Sequence, residues 1–417
     1  MEYKEISRMY RMFAASKREH YAQIEEDKRR NDYSTFHTGI DTPAGELFIA
    51  TPRELSLICE NILRTEQHIT SIASSMTSDL FNATKLSLIL DEVAYTNAIG
   101  DIRSTRRQIK EALETTNNSS SARRFRTFAF LYAEFVNHTV ALPAAPKDIR
   151  SIYDKVISEN NNETRHPDGD LFRKHSVDIT GVHHRIVHYG IDSESAIAKA
   201  MNDMFRIVYS ESMPALIAVL ASHFLFEYVH PFYDGNGRTG RYLLSLFLSQ
   251  MLTAPTILSL SHVILEHRDS YYRAFRTVEN PRNRGELTFF VYFMLELIRE
   301  AQINVITRLE ENKAINASLS KTLTSVNSAY GLKAQESQII FMLMQAEALE
   351  LLGDVPVENI ASFLQIKKQM ARQYLGSLEK RHIIEKRRER SPLTFELTDS
   401  FKKTYHIEAP RRKNPLI

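Results

Sequence analysis

Residues 230–241, His-Pro-Phe-Tyr-Asp-Gly-Asn-Gly-Arg-Thr-Gly-Arg, force a turn between two apolar segments and constrain the fold more than any other stretch of the 417-residue chain. Upstream, Ser222-His-Phe-Leu-Phe-Glu-Tyr-Val229 has the apolar content of a buried helix. It stops at His230-Pro231, because proline drives the residue before it out of the helical region. Downstream, Tyr242-Leu-Leu-Ser-Leu-Phe-Leu248 continues as a second apolar helix. Between them, Gly235-Asn236-Gly237 lets the backbone turn sharply and bring N–H groups close to an anion. A helix opening directly after such a loop is a phosphate site.

The side chains of the loop suit nucleotide chemistry. His230 at the loop mouth can accept a hydroxyl proton near neutral pH, the task of a general base. Asp234 is a hard oxygen ligand of the kind Mg²⁺ uses together with substrate phosphates. Asn236 and the amides of Gly235 and Gly237 can hydrogen-bond phosphate oxygens. Arg238 and Arg241, three apart, can both face a polyphosphate, where guanidinium forks outperform point charges. Each residue alone has a blander reading, a helix-end histidine or a turn-forming Asp-Gly pair. Eight residue types fixed within twelve positions make coincidence remote.

This stretch resembles the Fic family motif, His-x-Phe-x-(Asp/Glu)-Gly-Asn-Gly-Arg-x-x-Arg, complete at every defined position. The resemblance implies AMP transfer from ATP to a Ser, Thr or Tyr hydroxyl of a target protein or of the chain itself. It makes His230 the base, packs Phe232 beneath the loop and gives Mg²⁺ to Asp234. Gly235, Asn236 and Gly237 would hold phosphate oxygens, Arg238 would neutralise the pyrophosphate leaving group and Arg241 would grip the γ-phosphate. The Doc branch, which resembles a phosphoryl transferase, has Lys in place of the second Gly; Gly237 favours AMP transfer.

Composition bounds the rest. With 43% hydrophobic and 25% charged residues and a net charge of +2, the chain is an ordinary globular protein with no overall drive toward nucleic acid. A single cysteine, Cys59, excludes an internal disulfide. The absence of an apolar signal core or a membrane-length stretch makes a cytoplasmic protein without a membrane partner the expectation.

Toward the N-terminus, a charged helical arm runs to Arg30, Asn31–Gly45 reads as irregular, and a helix starts near Thr51-Pro52. Many Fic proteins carry an inhibitory motif (Ser/Thr)-x-x-x-Glu-(Gly/Asn) on a helix before the catalytic domain. Thr96-Asn97-Ala98-Ile99-Gly100-Asp101 resembles it in position, but Gly100 replaces the glutamate that in the family pairs with the second motif arginine, Arg241 here. The resemblance therefore implies a de-inhibited enzyme with Arg241 unopposed. The alternatives are that Gly100-Asp101 merely closes a helix, or that Asp101 is a shifted carboxylate, about 100° around from the expected position. Thr307-Arg-Leu-Glu-Glu-Asn312 also fits the loose pattern, where the charge run reads as a solvated face.

Further along, Leu171–Val182 has short β character in an otherwise helical sequence. The resemblance places there a flap that holds the target segment as an added strand, with Val177 and Ile179 as backbone docking positions; a loop trimmed with β-branched residues is the alternative. His183 and His184 point apart on either a helix or a strand and make no metal pair. Tyr271 and Tyr272 resemble paired tyrosines near the nucleotide base, and could equally be amphipathic packing. Val357–Arg381 and Ile383–Thr398 resemble a helix-turn-helix followed by two strands around a basic wing. Lys367, Lys368, Arg372, Lys386, Arg387, Arg388 and Arg390 form a local basic set suited to DNA phosphates or to a protein partner.

The fold expectation is mainly α. A Fic core over 116–318 carries a small β-hairpin flap, a helical extension over 1–115 holds the inhibitory-helix region at about 86–113, and a winged helix-turn-helix domain occupies 330–405. The leading function is a Mg²⁺- and ATP-dependent protein adenylyltransferase. A DNA-binding regulator with a nucleotide-sensing core, and transfer or removal of another phosphate-bearing group, stay open, as does a homodimer.

Overall fold

The apolar segments flanking the loop form the centre of one compact unit. A computed structural model of the protein describes residues 3–114, 125–137, 140–157, 165–180, 186–388 and 392–409. The chain is mainly helical with small antiparallel sheets, as expected. It divides into a unit of residues 1–68, 95–102 and 138–303, and a second of 69–94, 103–137 and 304–417. In chain order the helices are α1 Ile6–Tyr10, α2 Arg18–Arg30, α3 Arg53–Ser74, α4 Ser78–Ile99, α5 Arg106–Glu114, α6 Arg126–Val136, α7 Pro146–Ile157, α8 Glu194–Val208 and α9 Ala215–Val229. They continue with α10 Asn236–Leu248, α11 Ala254–Ile257, α12 Leu260–Glu266, α13 Arg268–Glu279, α14 Thr288–Tyr330, α15 Ala334–Ala348, α16 Val357–Phe363, α17 Lys368–Lys380 and α18 Asp399–Tyr405.

In the first unit α9 is the central strut, buried at every residue except Ala215, Glu227 and Tyr228. Each fully buried Leu, Ile or Phe there contributes roughly 1.5–3 kcal/mol, so this segment is helical because of where it packs. It lies against α8 and α10.

The N-terminal arm departs from expectation. Within the stretch read as irregular, β1 (Phe36–Thr42) and β2 (Gly45–Ile49) pair as an antiparallel hairpin. Its deeply buried residues are Thr38 and, at its end, Leu47, Phe48 and Ile49, so apolar period-2 alternation is weak in the small polar residues before them. Phe48 exchanges backbone hydrogen bonds with Gly285 and Leu287, and buried Glu286 binds Arg29 at 2.7 Å and Tyr3 at 2.6 Å.

In the second unit, Asp91 on α4 takes both Arg106 (2.7 Å) and Arg308 (2.6 Å). The helix α14 runs on to Tyr330, past the Gly285–Ala317 run seen in sequence. Its Thr307–Asn312 stretch is only half solvated: Glu310 and Glu311 are exposed, but Leu309 is buried and Asn312 donates to Thr84 Oγ1 at 2.9 Å. At the C-terminus, α16 and α17 stand beside a three-stranded sheet ordered β5 (Val355–Pro356), β7 (Thr394–Leu397), β6 (Ile384–Arg388). Their shared core includes Ile360, Leu375, Ile384 and Phe395. Of the basic set, Lys368, Lys386 and Arg387 each lie within ion-pair distance of a glutamate, Glu358, Glu379 and Glu396. Lys367 and Arg372 are exposed, whereas Arg390 and the Arg388 side chain lie outside the description.

Candidate active site

The helix α9 ends because His230 turns left-handed, with φ 53° and ψ 62°. A non-glycine residue there costs about 1–3 kcal/mol, so something must hold it. Arg173 does: its side chain is fully buried and donates to His230 O at 2.8 Å, Val229 O at 3.1 Å and His175 O at 2.6 Å. Its backbone N–H also donates to Pro231 O. The His230 ring is oriented in turn by Nδ1, 3.3 Å from Glu227 O. A proton on Nδ1 shared with that carbonyl leaves the lone pair on Nε2, which is the form a base requires.

Below the histidine, Phe232 is fully buried and stacks on Tyr153 with centroids 3.6 Å apart, as a residue packed beneath the loop should. Gly235, at φ 81°, precedes α10, and a β-carbon there would come within 2.8 Å of Ile157. Glycine is required on both counts. The first amides of α10, at Asn236 and Gly237, have no acceptor within their own helix. They open toward the loop as an anion cradle would.

The Asn236 side chain corrects one expectation. Its Oδ1 accepts from Phe232 N at 2.9 Å and its Nδ2 donates to Phe232 O at 2.8 Å. The amide therefore closes the loop, and its hydrogen-bonding atoms are spent on Phe232. Asp234 is exposed and accepts from Arg165 N at 2.8 Å. No cluster of three or more potential metal ligands occurs among the described residues. One exposed carboxylate fits a Mg²⁺ ion whose remaining ligands are phosphate oxygens and water, and no more self-sufficient metal site.

Arg238 and Arg241 are both buried on α10. Arg241 is not unopposed: Nε donates to Thr96 Oγ1 at 2.7 Å and Nη2 to Thr96 O at 2.8 Å. Both partners are uncharged, so the resembling segment does reach Arg241, through its first residue. Gly100 lies one helical turn further on, and a β-carbon on it would meet only Asn97 O, at 3.6 Å. Asp101 is not a shifted restraint. It adopts φ 58° and makes a two-pronged pair with Arg268, at 2.9 and 2.6 Å. This pair holds its carboxyl below the usual range, hydrogen bonding to Arg268 being the main cause. The bonds Ile102 N→Asn97 O and Asp101 N→Ala98 O close α4 as a Schellman motif whose left-handed residue is Asp101.

The two tyrosines separate. Tyr271 is buried, its hydroxyl 2.8 Å from His223 Nε2, and cannot stack on a base as expected. Amphipathic packing wins at this position. Tyr272 is 41% exposed, with its hydroxyl donating to Ile99 O at 3.3 Å. At the flap, β3 (Asp178–Thr180) pairs antiparallel with β4 (Ile186–Tyr189), Ile179 opposite His188. Ile179 lies on a strand whose second edge meets no strand among the described residues. The Val177 carbonyl accepts from Gly190 N at 3.1 Å, so its backbone faces β4, and Ile179, two residues on, faces the same way. His183 and His184 lie outside the described residues.

Two further polar residues escaped the sequence reading. His223 and Glu227, four apart on α9, share one face of an otherwise apolar helix, and that spacing was the available signal. Burial, then the Arg241 charge, pushes the His223 imidazole down to about 3. Burial pushes the Glu227 carboxyl up to about 7, while Arg241 pulls the other way. Glu227 Oε1 is sealed from solvent and makes no hydrogen bond. For Arg173, which precedes Lys174 and His175, the sequence carried no signal.

Residues 143–248 match the Fic/DOC family. A Drosophila willistoni protein named protein adenylyltransferase Fic is 27% identical over 36% of this chain and 27% of its own length. A Nematostella vectensis protein of the same name is 30% identical over 23% of this chain and 20% of its own. The chain thus matches about a quarter or less of the length of these relatives. A Fic family protein from Desulfovibrio desulfuricans shares the fold, with a TM-score of 0.50 at 17% identity over 84% of this chain and 97% of that one. A loop held open by a left-handed histidine, closed by its own asparagine and lined by two buried arginines thus lies within the segment, 143–248, that matches the Fic/DOC family.

Proposed function

We propose that the chain transfers AMP from ATP to a hydroxyl of a protein. The observation that carries this reading is the joint placement of His230 and the first amides of α10 around one loop. A base and an anion cradle there face the same substrate. His230 Nε2 takes the proton as the hydroxyl oxygen attacks the α-phosphate. The bond to the pyrophosphate oxygen breaks, and that anion leaves against Arg238. Orientation and charge neutralisation supply most of the rate, with His230 worth roughly 10²–10⁴-fold. Asp234 would hold Mg²⁺, whose contribution is to neutralise charge on the phosphates. The second edge of β3 is the place for a target strand to add by backbone pairing.

The reading includes weakened restraint. Thr96 offers Arg241 only neutral acceptors, which lack the charge–charge attraction a carboxylate would add. A γ-phosphate can displace them. The deciding experiment is parallel incubation with α- and γ-labelled ATP, using wild type and His230→Ala. Protein label from the α position alone, lost in the variant, is expected; label from γ would replace the proposal with kinase chemistry.

A further inference from the structure

On α13 the residues facing inward and outward do different things. Tyr271 and Val278 are buried. Arg273, Arg276, Thr277 and Asn280, spaced i, i+3, i+4, i+7, form the opposite face and line a cavity of about 300 Å³. The facing wall is α1, which adds Arg8 and Arg11. All four guanidinium groups are exposed, and none has a carboxylate or carbonyl partner among the described residues.

That is unusual within this chain. Arg29, Arg30, Arg106, Arg268, Arg284 and Arg308 all pair with carboxylates. In the cavity four cations meet one acid, Glu5, which already accepts from Ser7 Oγ at 3.1 Å. Like charges gathered without counter-charge raise a local positive potential in a protein of net charge +2.

The walls are fixed before any ligand arrives. Ser7 N donates to Asn283 Oδ1 at 2.8 Å, and Asn283 Nδ2 donates to Thr277 O at 2.7 Å, which ties α1 to the end of α13. Arg29 donates to Lys4 O at 2.7 Å, which anchors the chain just before α1. A preformed concavity keeps the ordering cost of binding low.

We propose that this cavity is a second anion site, separate from the 230–241 loop, for a small multiply charged phosphate such as pyrophosphate or the phosphate chain of a nucleotide. Guanidinium forks from two walls match phosphate oxygens in bidentate pairs. The volume is at the small end for ligand pockets, which suits a compact anion and not a polymer.

The test is calorimetric titration of the full chain with sodium pyrophosphate at low salt and without divalent metal. Arg273→Ser/Arg276→Ser and Arg8→Ser/Arg11→Ser are each expected to weaken binding by about tenfold or more. Arg64→Ser/Arg299→Ser, which removes two exposed arginines paired elsewhere, should leave binding as in wild type. All of these positions are exposed, so the variants should fold, and an unchanged melting temperature without ligand checks it. Equal binding by wild type and both cavity variants, or no binding by wild type, overturns the proposal. So does affinity for single-stranded oligonucleotides that grows with their length and depends on the same arginines, which would mean a polymer-binding surface.

Discussion

The loop at 230–241 and the end of α4 at 96–101 both handle Arg241, and they are built in opposite ways. The loop closes on itself: Asn236 binds Phe232 twice, and Arg173 fixes the carbonyls of Val229 and His230. The end of α4 is fastened to distant sequence, through Asp101 to Arg268 and Ile99 to Tyr272. It gives Arg241 only an alcohol and a carbonyl. On the proposed function, catalytic geometry would be a property of the loop and its immediate supports, and restraint a separate property that one side chain on α4 would add or remove.

The hardest test of that separation is to loosen the loop while leaving α4 alone. Arg173→Gln keeps some hydrogen bonding but cannot reach three carbonyls at once, so the left-handed turn at His230 loses its clamp. A shift of about 1 Å at a reacting group costs on the order of 10²-fold. The expected outcome is a fall of that size in kcat for AMP transfer, with KM for ATP little changed, since the amides of α10 are untouched. A rise in KM with kcat preserved would show that Arg173 supports nucleotide binding and not the base.

The converse test restores charge on α4. Gly100 is one turn beyond Thr96, and its β-carbon position is open apart from Asn97 O at 3.6 Å. A glutamate there falls on the face of Thr96 and can replace two hydrogen bonds to neutral acceptors by an ion pair with Arg241. Gly100→Glu is therefore expected to lower auto-modification with α-labelled ATP on the order of tenfold at subsaturating ATP. Because the glutamate competes with the γ-phosphate for Arg241, raising ATP should recover part of the loss. An unchanged rate would mean that α4 does not control the site.

The same contrast explains what the sequence could and could not reveal. The turn was legible because the glycines and the His-Pro pair carry their reasons locally, whereas the packing of Arg173, Tyr153 and Ile157 around it and the closure of Asn236 onto Phe232 were not. The mainly helical fold followed from apolar periodicity. What depended on distant pairing did not show. That Thr96 would occupy Arg241, that Tyr271 would turn inward to His223, and that Asp101 would bind Arg268 are all decided by helices far apart in the chain. The β1–β2 hairpin was hidden for a related reason, since its burial comes from Gly285–Leu287 and not from its own alternation.

The smallest effect expected concerns a carboxylate on the loop's own side. Glu227 feels Arg241 electrostatically, yet burial dominates and raises its carboxyl from 4.5 to about 7. A folded-state value above the unfolded one means that the native state binds the extra proton. Glu227 therefore contributes stability that is complete below pH 4.5 and is lost as pH rises through about 7. The residue as a whole is half-buried although Oε1 is sealed, so the loss is about 1–3 kcal/mol and not the full value of a group cut off from water. His223, held neutral with its value depressed to about 3, gives the opposite slope below pH 6.5. The two overlap, and only a difference between proteins isolates Glu227. Urea unfolding of wild type and Glu227→Gln at pH 5 and pH 8 should show wild type losing ground to the variant at the higher pH. Parallel profiles would place Glu227 in water. The α4 end would then be the only device acting on Arg241, and the division between a self-contained loop and an external restraint would become sharper still.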